Sequence, residues 1–305
     1  MKKKLILLLV TITIIFTLSA CNKTSNIADK SKINVVVSFN PLREFAIAIG
    51  KDKIVVTTVI PDGTEPHDFE PKARDIMNIN NSRIFIYNGL GMETWIDKVM
   101  GIINNKDIII VNASRGCNTI VSTDTTLVTD NNVRHFDPHI WLSPRQAKIE
   151  SYNIKEALVK ADPKNKKFYN KNYDAFRSKL DKIYNEYSKK MNLLKNKNFV
   201  TGHAAFAYLC RDFNLKQKSV EDVFAEGEPS AKKLSELVNY CKVNNIKTIF
   251  TEDMVSPKIS ETLAKEVGGK AVKIYTIESK EDNKDYIKSM EYNLDKIYKS
   301  LVFFP

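Results

Sequence analysis

The chain has 305 residues, 43% of them hydrophobic, which is enough to bury a sizeable core as one large or two medium domains. Its 47 Lys and Arg against 36 Asp and Glu give a formal charge of +11, which falls to +8 when Lys2, Lys3 and Lys4 are set aside. The basic residues are spread over Lys/Glu-mixed faces instead of forming one stripe interleaved with aromatics, so a nucleic-acid partner is excluded in favour of a solvated surface beside anionic lipid or cell wall.

In chain order, three lysines and the apolar run 5–18 predict a secretory signal over residues 1–20. The run is shorter than the ~20 apolar residues of a membrane span, though an ordinary transmembrane anchor is the competing reading. It ends in Leu18-Ser19-Ala20-Cys21, which resembles the lipobox at which bacterial lipoproteins are cleaved and acylated. Cys21 is therefore the expected lipidation site, its several acyl chains supplying the stable anchoring that one chain cannot. Residues 21–32 are polar and aperiodic and read as a tether. The remaining cysteines are Cys117, Cys210 and Cys241, an odd number with no C-x-x-C spacing. Cys210 and Cys241 read as buried thiols, with a pairing between them left open.

From Ile33 the pattern becomes that of a folded body. The β-branched runs 33–38, 54–60, 83–87 and 107–111 predict strands separated by segments with room for helices. A second series predicts strands over 199–201, 247–251 and 272–277 and helices over 230–243 and 257–267. Such alternation predicts α/β structure with mostly parallel sheets. Between the two series, Asp162-Pro163 opens a long helix. Tyr169, Tyr173, Phe176, Leu180, Ile183, Tyr187, Met191 and Leu194 recur along it at steps of three and four. A helix over 163–194 would run roughly 48 Å at ~1.5 Å per residue. The expected organisation is an N-terminal lobe over 33–160, a rigid connecting helix over 161–196 and a C-terminal lobe over 197–305.

The chain has only 4 histidines. His67 lies in a Pro/Gly-bounded loop after the 54–60 strand, His139 in the proline-framed turn Asp137-Pro138-His139, and His203 after the 199–201 strand. All three are expected at carboxyl-terminal strand edges, where open α/β sheets bind ligands. Neutral imidazole suits Zn²⁺ and other borderline ions, and flanking prolines stiffen the backbone around it. A lone histidine is more often a satisfied surface or core residue, but three in matching positions favour one shared ion. His135, in a polar loop, reads as a solvent-exposed bystander or an auxiliary entry ligand. Glu65, Asp68 and Glu70 are either orienting groups for His67 or solvated loop charges, and Asp137 either caps its turn or supports the site. Trp141 and Phe69 read as hydrophobic anchors.

The segments Glu65-Pro66-His67-Asp68-Phe69-Glu70-Pro71 and Asp137-Pro138-His139-Ile140-Trp141-Leu142-Ser143-Pro144 resemble the two signature motifs of the zinc/manganese solute-binding lipoproteins of ABC-type importers. Glu228-Pro229-Ser230, Asp285-Tyr286 and Asn293-Leu294 match as well, and the likeness spans residues 33–301. The resemblance implies two similar βα lobes with mostly parallel sheets, joined by one long rigid helix, with the metal in the interlobe cleft. It also implies His67, His139 and His203 as ligands, with Glu278 as the fourth and Glu281 as the fallback. A third histidine and no Asp near Ile277 point to Zn²⁺ as transported ligand, with Mn²⁺ as the alternative. The histidine-rich insert of many zinc-type members has no counterpart here. An ABC permease and its ATPase are the implied partners, the chain being a monomer held by Cys21 on the outer face of the bacterial cytoplasmic membrane.

Two other classes compete. An exported zinc hydrolase would use three protein ligands plus water, but no H-E-x-x-H or G-x-S-x-G pattern is present and Glu278 would fill the open position. An adhesive role is known in relatives, yet no residue here identifies a host ligand. Because imidazoles ionise near ~6.5, the sequence predicts that metal binding weakens below about pH 6.

Overall fold

The computed structural model describes residues 32–122, 135–223, 229–253 and 256–302. The signal segment, the tether with Cys21, the 123–134 loop and Glu228 lie outside the described residues. Among the described residues no helix is long and apolar enough to cross a membrane.

The first half builds a four-stranded parallel sheet in the order β2-β1-β3-β4, from β1 (Ile33–Val37), β2 (Ile54–Thr58), β3 (Ile84–Tyr87) and β4 (Ile109–Asn112). The second half repeats the arrangement as β6-β5-β7-β8, from β5 (Asn198–Thr201), β6 (Lys216–Ser219), β7 (Thr248–Thr251) and β8 (Lys270–Lys273). Each sheet reverses its direction of growth between its first and third strands, the place where α/β sheets open a crevice at their carboxyl edge. The helices are α1 (Asn40–Gly50), α2 (Ala73–Asn80), α3 (Ile96–Ile102), α4 (Pro144–Ala161), α5 (Lys166–Asn192), α6 (Ala207–Phe213), α7 (Ala231–Val243), α8 (Pro257–Glu266) and α9 (Tyr286–Val302).

Strand β6 is absent from the sequence expectation because Lys216-Gln217-Lys218-Ser219 carries no β-branched or aromatic residue. It pairs only with β5, at the edge of its sheet. Strand β8 ends at Lys273, four residues before the expected end. Beyond Ile274, whose N–H still reaches Thr251, the backbone bonds to side chains instead of a neighbouring strand.

The connecting helix α5 has 27 residues, about 40 Å at ~1.5 Å per residue, and begins three residues later than expected. Residues Pro163–Asn165 form a separate 3₁₀ turn. The Asp162 carboxylate accepts from the Tyr169 hydroxyl at 2.9 Å and from the Asn165 amide at 2.5 Å, and does not cap the backbone. The buried stripe of α5 is Tyr169, Asn172, Phe176, Leu180, Ile183, Tyr187 and Met191, one face at helical spacing.

The two sheets share one hydrophobic core. Val35 and Ile86 of the first belong to the same buried cluster as Phe199 and Phe250 of the second, with Leu180 and Ile183 of α5. Helix α9 closes it by setting Tyr286 edge-on against Phe45 of α1, with ring centroids 4.8 Å apart. Truncating the fully buried Leu180 in Leu180→Ala is expected to cost about 2–5 kcal/mol. Urea denaturation should still give one transition with an unchanged slope; two separated transitions would contradict a core common to both halves.

Candidate metal centre

Each candidate ligand is fixed by its own local chain. Backbone pairing beyond β2, with Val59 N–H to Val37 O and Ile60 N–H to Ser38 O, carries the chain into the Pro61–Thr64 turn. Gly63 takes a φ of 81° there, which glycine adopts without steric cost. His67 follows, buried, with its N–H donating to Glu65 Oε1 at 3.3 Å.

His139 does not follow a named strand, contrary to expectation. It lies between the isolated bridge Val121–Phe136 and the 3₁₀ turn Ile140–Leu142 that leads into α4. Both its backbone N–H and its Nδ1–H donate to Asp137 Oδ1, each at 2.9 Å. That leaves Nε2 for the ion in the carboxylate–histidine–metal arrangement. The turn is held from outside as well. Tyr208 donates to the Asp137 carbonyl at 2.6 Å, and Asn88 to the Pro138 carbonyl at 3.0 Å.

His203 follows β5 through Gly202. The buried Glu252 carboxylate accepts from Gly202 N–H at 3.1 Å and His203 N–H at 3.4 Å. A Cβ on Gly202 would stand 2.4 Å from Glu252 Oε2, so a side chain there would displace the carboxylate that holds His203. The His203 Nε2–H donates to the Val223 carbonyl at 2.7 Å, leaving the Nδ1 lone pair free of that bond.

Glu278 lies five residues past the end of β8 in an irregular segment. Asn293 brackets Tyr275, accepting from its N–H at 2.9 Å and donating to its carbonyl at 2.7 Å. The Trp141 indole donates to the Thr276 carbonyl at 2.8 Å. Ile277 has φ 64°, a left-handed conformation that costs a β-branched residue on the order of 1–3 kcal/mol.

The three imidazoles converge, and the Glu278 carboxylate meets one of them. One ligand atom from each of His67, His139 and His203 lies within 4.8 Å of the others, and all three residues are buried. His139 Nε2 is 3.4 Å from His67 Nε2 and 3.4 Å from Glu278 Oε1. Two ligand atoms about 2.0–2.1 Å from a tetrahedral zinc stand roughly 3.4 Å apart, so the spacing fits that ion. Glu278 Oε2 accepts from the Thr276 hydroxyl at 2.7 Å, while the buried Oε1 faces His139 Nε2 at 3.4 Å.

Electrostatics sets these groups against one another. Burial, then the neighbouring His139, pushes His67 down to about 3, and the same two causes push His203 down to about 4. Burial works against a charge on His139 too, but the hydrogen bonds and charges of Asp137 and Glu278 outweigh it and raise His139 to about 9. Burial opposes the charge on Glu278, yet the three imidazoles hold it ionised. Glu65 is raised by burial and then by Glu278.

The other candidates separate cleanly. Glu281 is tied to the backbone instead: its Oε1 accepts from Ile277 N–H at 3.2 Å, and burial followed by the Asp253 charge raises it to about 8. Glu65 and Asp137 stand behind ligands, whereas Asp68 and Glu70 are exposed. His135 is half-buried, not solvent-exposed, because its backbone pairs with Ser122; it lies outside the three-imidazole group. Cys117, Cys210 and Cys241 are unpaired thiols, so Cys210 and Cys241 form no disulfide. Trp141 is fully buried against Phe39 at 4.8 Å, as an anchor should be. Sequence reasoning missed Asn40, Thr276 and Glu252. Only Glu252 carried a signal, an acidic residue directly after a strand.

Two parallel α/β lobes on one long helix, with three buried imidazoles at their carboxyl edges, define a metal-capturing binding protein. The family described as zinc-uptake complex component A, periplasmic (ZnuA) matches residues 35–300 of the chain, which belongs to that family. The high-affinity zinc uptake system protein ZnuA of Bacillus subtilis is 37% identical over 94% of this chain and 97% of its own length. The zinc-bound ZnuA-like domain of Streptococcus pneumoniae AdcA superposes with a TM-score of 0.75 at 33% identity, covering 88% of this chain and 99% of that domain. The laminin-binding protein Lmb of Streptococcus agalactiae, titled a bifunctional protein with adhesin and metal transporting activity, gives 0.81 at 31% identity over 88% and 99%.

The sign of the pH dependence follows from His139. Its metal-free form holds a proton up to about pH 9, and an arriving cation must displace it. His67 and His203 stay neutral well below pH 6. Metal affinity should therefore fall about tenfold per pH unit across the neutral range, with about one proton released per ion, not only below pH 6. Chelator competition between about pH 6 and 8 checks this, and a flat profile there would contradict it.

Proposed function

We propose that the chain is the extracytoplasmic capture component of an ABC-type importer, holding Zn²⁺ through His67, His139, His203 and Glu278 and handing it to the permease and its ATPase. The observation that carries the reading is the pair of 3.4 Å spacings around His139 Nε2, one to a second buried imidazole and one to a buried carboxylate oxygen, with the third imidazole within 4.8 Å. Three nitrogens and one carboxylate suit four-coordinate zinc, whereas Mn²⁺ favours more oxygens and a higher coordination number. Glu278 occupies the position that a zinc hydrolase keeps for water, so the site is read as a carrier and not a catalyst.

The ligands come from both halves, His67 and His139 from the first and His203 and Glu278 from the second. A bound ion thus ties the two sheets together. Acylation at Cys21 would keep a monomeric carrier beside its permease.

Stoichiometric Zn²⁺ should raise the melting temperature by mass action, since an ion at 1,000 times its Kd adds about 4.1 kcal/mol. His203→Ala should lose most of this shift and weaken zinc by more than the ~100-fold cost of losing a mere supporting group. Protein purified at native metal levels should carry zinc. Unchanged zinc binding in His203→Ala would overturn the assignment.

A further inference from the structure

We propose that Asn40 is a positioning residue for metal capture, gripping from the first lobe the backbone on both sides of Glu278 and so making the carboxylate ligand depend on the lobes being together. The inference rests on the reading of Glu278 as a ligand.

Asn40 is the first residue of α1, just beyond the carboxyl end of β1, and it is buried. Its Nδ2 donates to the Ile277 carbonyl and to the Ser279 carbonyl, each at 3.0 Å. The two acceptors belong to the residues on either side of Glu278, so a single amide fixes the peptide unit that precedes Glu278 and the one that follows Ser279. The Asn40 Oδ1 is buried with no hydrogen-bond partner. A buried amide with its donors used and its acceptor unpaired has its role in those donors, because the unsatisfied oxygen is only a cost. Turning the amide over would set that oxygen against two carbonyls, which fixes the orientation.

The conformation being held would not persist alone. Ile277 is buried and β-branched at φ 64°, and such outliers need their surroundings to impose them. Glu281 holds its N–H and Asn40 its carbonyl. The following residues are braced against the loop that bears His67: Gly63 N–H donates to Ser279 Oγ at 2.9 Å, and Lys280 N–H to Asp62 Oδ1 at 2.8 Å. Every one of these first-lobe groups is withdrawn when the lobes part. Ile277 then relaxes and Glu278 is drawn off the ion with its own lobe, a loss of coordination suited to release.

The test is a double-mutant cycle on the full chain, with zinc affinity measured by chelator competition and Co²⁺ absorption as the spectroscopic readout. Asn40→Ala and the near-isosteric Asn40→Leu are each combined with Glu278→Ala, and folding is checked by melting. Glu278→Ala should weaken zinc, and each Asn40 variant should weaken it at least tenfold. Adding either to Glu278→Ala should change the Kd less than twofold. The Co²⁺ spectrum of the folded Asn40 variants should move to that of Glu278→Ala. Asn40 variants with parent affinity, or losses that add in full to that of Glu278→Ala, would overturn the clamp while leaving the ligand assignment intact. A Glu278→Ala protein that binds zinc as the parent does would instead overturn the ligand assignment, and the clamp with it.

Discussion

Three imidazoles and a carboxylate are forced into one buried space, and this crowding is the constraint on which the rest of the structure depends. Without a cation the arrangement is internally opposed: His139 keeps a proton while its neighbours are driven to give theirs up. A divalent ion resolves the opposition. The ionised Glu278 offsets part of the incoming charge, and a paired charge is far less costly to bury than an isolated one. Burial, opposed in part by backbone hydrogen bonds, raises the affinity of Glu252 for its proton.

Holding such a cluster open for an ion requires rigid supports, and the fold supplies them twice. In the first half Glu93 accepts from Ser38, Asn88 and Gly89, and Asn88 in turn holds the turn before His139. In the second half Glu252 does the same for Gly202 and His203. Both are buried acids at the carboxyl edge of a parallel sheet, placed equivalently by the repeated 2-1-3-4 strand order. The shared core and α5 keep the two edges facing, so a small relative motion of the halves changes the ligand geometry directly.

Much of this was legible in the sequence, for physical reasons that differ by element. Buried parallel strands read as β-branched runs, which is why β1, β3 and β7 fall within a residue or two of expectation. The α5 stripe was visible because a 3.6-residue period persists for 27 residues. Two proline-framed histidines and a third directly after a strand pointed to the three imidazoles that the structure brings together. Edge strand β6 was invisible because exposure removes the apolar signal, and the early end of β8 because its continuation is held by Asn293, Trp141 and Asn40 from distant parts of the chain. No local pattern announces a hydrogen bond across 237 residues, so Asn40 emerges only from the packed structure.

Capture and release then come from one design. On the proposed reading, the ion replaces a proton on His139 and ties two lobes that share a core, and the strained turn at Ile277 would make Glu278 the ligand most easily surrendered. Zinc K-edge X-ray absorption on the stoichiometrically loaded protein tests the central claim most directly. The account predicts three imidazole nitrogens and one carboxylate oxygen at about 2.0–2.2 Å, with no sulfur. A shell containing sulfur, or fewer than three imidazoles, would contradict it.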